Sequence, residues 1–149
     1  MEMMKGGVTA PAGFLAAGVH ADIKGKGGNK KDVAVLFSRV PCAAAGVYTL
    51  NKVKAAPVLV SQERTGRGQL QAVVVNSGNA NACTGEQGMK DAIVMAELTA
   101  KALGLEPQAV AVASTGVIGV PLPMDRVQKG IALAAAAVRE DGGQDAAEA

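Results

Sequence analysis

The segment QAVVVNSGNANACTG, residues 71–85, decides the fold class of this chain. Its first part, Gln71–Val75, ends in consecutive valines, and a β-branched run of this kind is typical of a buried strand. Asn, Ser, Thr and Gly residues follow at once, and these residue types form tight turns and allow positive φ. A helix-period pattern comes next. The segment therefore predicts a strand-to-helix junction of an α/β protein, where ligands tend to bind.

The residues after this segment continue the α/β pattern. Apolar residues recur at three- and four-residue spacing and predict a helix from Met89 to Leu103, with Gly104 as its C-cap. Ala109–Ala113 (AVAVA) predicts the next strand, and we expect both strands to be buried on both faces. A second helix is predicted from Met124 to Arg139. The residues expected on the buried helix faces are Met89, Ala92, Ile93, Ala96, Ala100 and Leu103 in the first helix, and Val127, Ile131, Ala134, Ala135 and Val138 in the second.

The residues before position 71 predict shorter elements. An extended segment over Val8–Ala21 leads into a loop in which glycines and an asparagine separate several lysines. Strands are predicted at Asp32–Phe37 and Ala45–Leu50. A short helix should begin at Pro57, where a missing N–H costs little, and end at the turn Thr65–Gly68. No long linker divides the sequence, so we expect residues 1–149 to form a single domain.

The composition limits the classes of partner. Hydrophobic residues make up 49% of the chain but aromatic residues only 2%, so the core must be filled by small side chains. Such a core suits either a chain that packs against another subunit or a compact alanine-rich monomer. The net charge of +2 is too small to attract nucleic acid or membranes electrostatically. The lysine cluster (Lys24, Lys26, Lys30, Lys31) is expected to be a solvated loop. Residues 1–7 do not resemble a signal peptide and no segment resembles a membrane span, which favours a cytoplasmic protein.

Several kinds of catalytic group are missing from the sequence. His20 is the one histidine, and its Ala/Gly context favours an uncharged packed ring over a general base. Cys42 and Cys83 fit no zinc spacing and are expected to be small buried side chains, although a disulfide stays open. We therefore expect no metal site and no nucleophile–base pair within this chain.

Thr115 and Gly116 are the candidate catalytic residues. They follow the second predicted strand within ASTGVIGVPLPMD, residues 113–125. A threonine hydroxyl and a glycine N–H on adjacent residues can converge on one developing negative oxygen, which is the requirement for an oxyanion hole. A plain Ser-Thr-Gly turn is the alternative. The run NSGNANACTG, residues 76–85, likewise has two interpretations: a ligand site, or a structural knot whose asparagines satisfy buried main-chain groups.

Four segments together resemble the ornithine acetyltransferase (glutamate N-acetyltransferase) family in order and separation. They are VTAPAGF at residues 8–14, NSGNANACTG at 76–85, STGVIG at 114–119 and PLPM at 121–124. The resemblance implies a layered α/β sandwich of the self-processing type, with this chain as its N-terminal, α part. It also implies transfer of an acetyl group from N-acetylornithine to glutamate in arginine biosynthesis. No cofactor is implied, although some members also use acetyl-CoA as a substrate.

The resemblance further implies that the site is shared with a second chain. Family precursors cleave themselves before a threonine, which becomes the first residue of the β chain and the nucleophile, with its own amine as base. The α and β chains associate into an α2β2 heterotetramer. Thr115 and Gly116 match the family's oxyanion pair. The family's nucleophile, substrate-binding residues and cleavage point lie beyond Ala149, so none can be numbered in this sequence.

Two other classes of function stay open at this stage. The chain could be a small-ligand or phosphate-binding module that uses its two glycine-rich segments, or a purely structural subunit that supports a partner's site. The first would bind phosphate or nucleotide in isolation. The second would tolerate replacement of Thr115 and Gly116 without kinetic loss.

Overall fold

A four-stranded sheet organises the chain, as seen in a computed structural model that describes residues 7–149. The strands are β1 (Phe14–Val19), β2 (Val33–Ala43), β3 (Gln69–Asn79) and β4 (Val110–Val117), and they lie side by side in that order. The first three pair antiparallel, whereas β3 and β4 pair parallel. The helices are α1 (Ala56–Thr65), α2 (Gly85–Leu103), α3 (Met124–Ala136) and α4 (Gly143–Glu148), with a 3₁₀ turn at Pro107–Ala109. The predicted mixed α/β class is confirmed.

One face of the sheet carries the hydrophobic core. Helix α2 crosses over between the parallel strands β3 and β4, as such a connection requires, and packs beside α3. Gly130 lets α3 approach closely, because a Cβ there would lie 2.7 Å from Val33 Cγ2. The fully buried apolar side chains on this side include Val33, Val35, Val74, Met95, Val110, Val127 and Ile131. The core thus consists of the small and flexible side chains that the composition predicts.

The opposite face of the sheet is covered at one end. Helix α4 packs on β1, where a Cβ on Gly18 would clash with the main chain of Asp145. Farther along, β3 alternates between buried residues such as Val74 and half-buried ones such as Val73, and Ala113 of β4 is exposed. The prediction of burial on both faces is therefore wrong for β3 within residues 7–149, because α4 reaches only the β1 side. In β4 the consecutive residues Val110, Ala111 and Val112 are all buried.

The predicted helices agree with the structure apart from details. In α2, Ala92, Met95, Ala96 and Ala100 are fully buried, and Gly104 takes the left-handed conformation (φ 70°) of a C-cap. Ile93 was expected inside but is 38% exposed, since it lies beside the buried stripe. Helix α3 ends at Ala136, before the predicted Arg139. Helix α1 has Pro57 in its first turn, as predicted.

The predicted strand at Ala45–Leu50 is wrong. The chain leaves the sheet after Ala43, and Val47 and Leu50 are almost completely exposed. Valine, tyrosine and threonine give this segment a strand-like composition, but no neighbouring strand of the described residues supplies main-chain partners for it. Tyr48 anchors the segment, because its hydroxyl donates to the Ser61 carbonyl at 2.9 Å. The strands predicted at Asp32–Phe37, Gln71–Val75 and Ala109–Ala113 are confirmed as parts of β2, β3 and β4.

Two expectations concern membrane spans and a signal peptide. None of the helices within residues 7–149 is both long and apolar enough to cross a membrane. The expectation that the start of the chain is not a signal peptide falls largely on residues 1–6, which lie outside the described residues.

Candidate functional site

The two polar segments singled out in the sequence lie side by side. Both were expected to be loops after strands, but residues 76–79 belong to β3 and residues 114–117 to β4. They form the last rungs of the parallel ladder, with Ser77 opposite Thr115 and Gly78 opposite Gly116. The structure therefore brings both segments to the carboxyl ends of adjacent parallel strands, which is where α/β proteins bind ligands.

Helix α1 covers the first half of the free edge of β4. The Ser61 hydroxyl donates to the Val112 carbonyl at 2.6 Å and accepts from the Val112 N–H at 2.8 Å. The Arg64 guanidinium donates to the Val110 carbonyl. Both side chains are more than 90% buried, and burial lowers the pKa of the Arg64 guanidinium. These two side chains replace a fifth strand along this part of the edge.

The second half of the same edge presents the main chain of Gly116. Main-chain groups point alternately to the two sides of a strand. Val110 and Val112 face α1, whereas the Val117 carbonyl accepts from the Ala80 N–H at 2.9 Å on the β3 side. By this alternation the N–H of Gly116 points away from β3 to the free edge. No strand of the described residues lies beyond it.

Gly116 tolerates no side chain. Its φ is +134°, and a Cβ would lie 2.5 Å from the carbonyl carbon of Gly78 and 2.6 Å from the Asn79 nitrogen. Real Cβ contacts are essentially never shorter than 3.0 Å. Thr115 and Gly116 are both exposed. A threonine hydroxyl and an approachable glycine N–H thus stand next to each other at the end of β4.

A network of asparagine side chains holds the chain just after Gly116. Asn79 is 4% exposed, and its amide nitrogen donates to the carbonyls of Val120 (2.9 Å) and Pro121 (3.1 Å). The Asn79 side-chain oxygen accepts the Asn81 N–H at 2.8 Å. Residues 117–121 are therefore fastened to the end of β3 through one buried side chain.

Asn81 and Asn76 complete the network. Asn81 has a φ of +47° and is fully buried; its side chain donates to the Gly88 carbonyl and accepts from the Thr84 hydroxyl, both within 2.8 Å. Asn76 is also fully buried and donates to the Asn79 carbonyl at 2.9 Å. These bonds match the structural interpretation of the asparagine run, with its side chains satisfying buried main-chain groups.

The remaining candidate residues are His20 and the two cysteines. His20 is half-buried, and its Nδ1 lies 2.7 Å from the Lys30 carbonyl, so Nδ1 carries the proton as donor. Cys83 is exposed and Cys42 half-buried, and both are free thiols, so the expectation of buried cysteines is wrong. Cys83 lies in the turn before α2 and has a positive φ of 57°. Among residues 7–149, no three His, Cys, Asp or Glu side chains are grouped as metal ligands.

Sequence reasoning missed the part played by Ser61 and Arg64. Their spacing of three residues places them on the same face of α1, and that face also carries the buried Val60 and Pro57. Two polar residues within an apolar helix face are the signal that could have revealed a helix capping a strand edge.

A family model described as the ArgJ family matches residues 15–149 of this chain. The arginine biosynthesis bifunctional protein ArgJ of Symbiobacterium thermophilum is 71% identical over 149 residues, which is 100% of this chain and 37% of that protein. The protein of the same description from Caldanaerobacter subterraneus is 51% identical over 149 residues, with 36% of its length covered. The chain thus spans little more than a third of these curated relatives.

Solved structures share the fold. The arginine biosynthesis bifunctional protein ArgJ of Bacillus halodurans matches with a TM-score of 0.86 and 44% identity, covering 96% of this chain and 74% of that one. An ornithine acetyltransferase of Mycobacterium tuberculosis, complexed with ornithine, matches with a TM-score of 0.91 and 49% identity, covering 95% and 77% respectively.

Proposed function

The chain belongs to the ArgJ family, and we propose that it is the N-terminal, α part of an acetyltransferase of arginine biosynthesis. Its enzyme moves an acetyl group from N-acetylornithine to glutamate in the cytoplasm, without a cofactor, and residues 1–149 serve as one domain of it. Support comes from relatives named for arginine biosynthesis and from the likeness to an ornithine acetyltransferase structure determined with ornithine.

The end of β4 is the observation that carries this proposal. An exposed hydroxyl on Thr115 adjoins the main chain of the exposed Gly116, whose N–H points to a free strand edge. Such a pair suits the negative oxygen of a tetrahedral intermediate. The chain would supply these two donors, and a β chain beginning with threonine would supply the nucleophile, in an α2β2 assembly.

The proposed reaction has two steps. The hydroxyl of the β-chain threonine attacks the acetyl carbonyl of N-acetylornithine and gives its proton to the threonine's own amine. The carbonyl oxygen becomes negative and accepts hydrogen bonds from Thr115 and Gly116. The C–N bond breaks, ornithine leaves with the proton, and an acetyl ester remains on the threonine. The glutamate amine attacks that ester in the same way, releasing N-acetylglutamate and the free hydroxyl.

Mass spectrometry of the complete protein tests this sequence of steps. After brief incubation with N-acetylornithine and no glutamate, the peptide that begins the β chain should carry one acetyl group. Adding glutamate should remove it. A protein that transfers acetyl groups without ever carrying one on that peptide would contradict the acetyl-enzyme. A protein that transfers none would contradict the proposed activity.

A further inference from the structure

The lysine loop, residues 22–30, overhangs the carboxyl end of β3. Two cavities share Lys24 and Lys26 as lining residues. One, of about 190 Å³, is also lined by His20, Lys30 and Ser77. The other, of about 360 Å³, is floored by Gly78 and Val117 and others at the ends of β3 and β4. The lysines are exposed, as the sequence predicted, and they border two open clefts at the end of the sheet.

The loop is held in place by two carboxylates. Asp32 accepts the N–H groups of Ala21 at 2.6 Å and Ile23 at 2.7 Å, one on each oxygen. Asp22, which has a positive φ of 57°, accepts the N–H groups of residues 26 and 27, both at 3.0 Å. Arg126 of α3 donates to the Asp22 carbonyl at 2.6 Å and lies 3.5 Å from its carboxylate. The loop is therefore held by contacts within the chain itself.

These contacts engage the acidic groups nearest the lysines. Asp22 and Asp32 are the acidic residues in the cavity lining, and both are engaged by main-chain N–H groups or by Arg126. Within the described residues, Lys24, Lys26 and Lys30 form no ion pair, whereas Lys31 turns to α4 and pairs with Asp145 and Glu148. Three ammonium groups are thus available around one opening.

The opening lies beside the candidate oxyanion donors. Ser77 lines the smaller cavity and is the register partner of Thr115; Gly78 lines the larger one and is the register partner of Gly116. Neighbouring strands are about 4.8 Å apart. A substrate at Thr115 that extends across the end of β3 would therefore reach the lysine loop.

We propose that Lys24, Lys26 and Lys30 bind an oxyanionic group, carboxylate or phosphate, of the acetyl donor or acceptor. This inference rests on the proposed function, since it places a substrate at Thr115 and Gly116. Ammonium groups form charge-assisted hydrogen bonds with either kind of anion. The lysines act on binding and selectivity and take no part in the chemical step.

Steady-state kinetics of the complete protein test the proposal. The triple variant Lys24→Gln/Lys26→Gln/Lys30→Gln removes the charge and keeps a polar side chain at each position. It should raise KM for the bound substrate about 10-fold or more, as expected when charge-assisted hydrogen bonds are lost, and leave kcat nearly unchanged. A phosphate contact raises KM for acetyl-CoA alone, whereas a carboxylate contact raises KM for N-acetylornithine or glutamate.

The matched control removes three lysines elsewhere. Lys90, Lys101 and Lys129 are exposed on α2 and α3, and their triple Gln variant changes net charge equally. If all three KM values of the lysine-loop variant equal those of this control, the inference is refuted while the acetyltransferase activity stands. If the wild-type protein transfers acetyl from neither donor, the proposed function fails, and the inference with it.

Discussion

Gly116 has both an unusual backbone conformation and a proposed role in catalysis. Its φ of +134° is a conformation that favours glycine, and the main chain of β3 occupies the space that a Cβ would need. Its N–H points the other way, to the free edge of β4. Packing against β3 therefore selects glycine here, while the N–H stays available for the proposed catalysis.

Replacing Gly116 with alanine should destabilise the protein by about 1–3 kcal/mol, the range for overpacking and for a strained φ. Thermal or urea unfolding of the complete protein measures this change. Gly119→Ala is the control, because that glycine also has a positive φ (77°), but a Cβ added there would meet no atom within 4 Å beyond its chain neighbours. Equal losses for both variants would show that contact with Gly78 and Asn79 contributes nothing.

Asn79 should be needed for stability and for activity. Asn79→Ala leaves the Asn81 N–H and the Val120 and Pro121 carbonyls without their partner. A buried group left unpaired lowers the free energy of unfolding by about 1–3 kcal/mol. Residues 117–121, next to the candidate oxyanion donors, also lose the hydrogen bonds that hold them to β3.

The control for this change is Asn51→Ala. Asn51 makes a comparable main-chain bond, to the Val53 N–H at 3.0 Å, but in an exposed segment. It should alter the free energy of unfolding by less than about 0.5 kcal/mol, as surface changes usually do. An Asn79→Ala protein with wild-type stability and acetyl transfer would contradict a supporting role for the asparagine run.

At the scale of the elements, sequence patterns predicted most helices and strands but not where the strands end. Valines identify β3 and β4, yet Asn76–Asn79 and Ser114–Val117 extend them through asparagine and glycine, which are depleted in strands. The two segments stabilise each other by pairing as strands. This is a tertiary interaction, so the local sequence does not predict it. The reverse error occurred at Ala45–Leu50, where a strand-like pattern lacks a partner.

Helix α4 offers a prediction about pH. The Lys31 ammonium and then the Arg139 guanidinium, by hydrogen bonding to Asp145, hold the pKa of that carboxyl below its ordinary value of 3.8. A lowered folded-state pKa adds stability above pH 3.8, and this stability is lost as pH falls through the folded value. Asp145→Asn should therefore lower the unfolding free energy at neutral pH, with the difference vanishing well below pH 3.8.

Urea unfolding of both proteins at a series of pH values measures this linkage. Asp141→Asn is the control, because Asp141 also pairs with Arg139 (2.8 Å) but is 85% exposed and should matter less. A difference between Asp145→Asn and wild type that stays constant down to strong acid would contradict the ion pairs as its cause.

At the scale of the whole molecule, the sequence identified the candidate pair but not its surroundings. Thr115 and Gly116 could be named from their motif, because the family's segments are specific. The covering of the β4 edge by Ser61 and Arg64, and the closeness of the lysine loop, depend on residues about 50 to 90 positions away in the chain. Sequence periodicity carries no information on such contacts.

The half-open face of the sheet fits a chain that works as part of a larger protein. Val73 and Val75 are only half-buried and Ala113 is exposed beyond the reach of α4, while the curated relatives are nearly three times as long as the part this chain matches. Both facts accord with a site completed by residues outside this sequence, as the proposed function requires.

The kinetics of Thr115→Ala in the complete protein test the central proposal most directly, with Thr115→Ser as the variant that retains the hydroxyl. Loss of one oxyanion donor typically lowers kcat by ~100- to 1000-fold, so Thr115→Ala should fall by about that factor with unchanged stability, and Thr115→Ser should keep most of the rate. A Thr115→Ala enzyme that works within a few-fold of wild type would contradict the assignment.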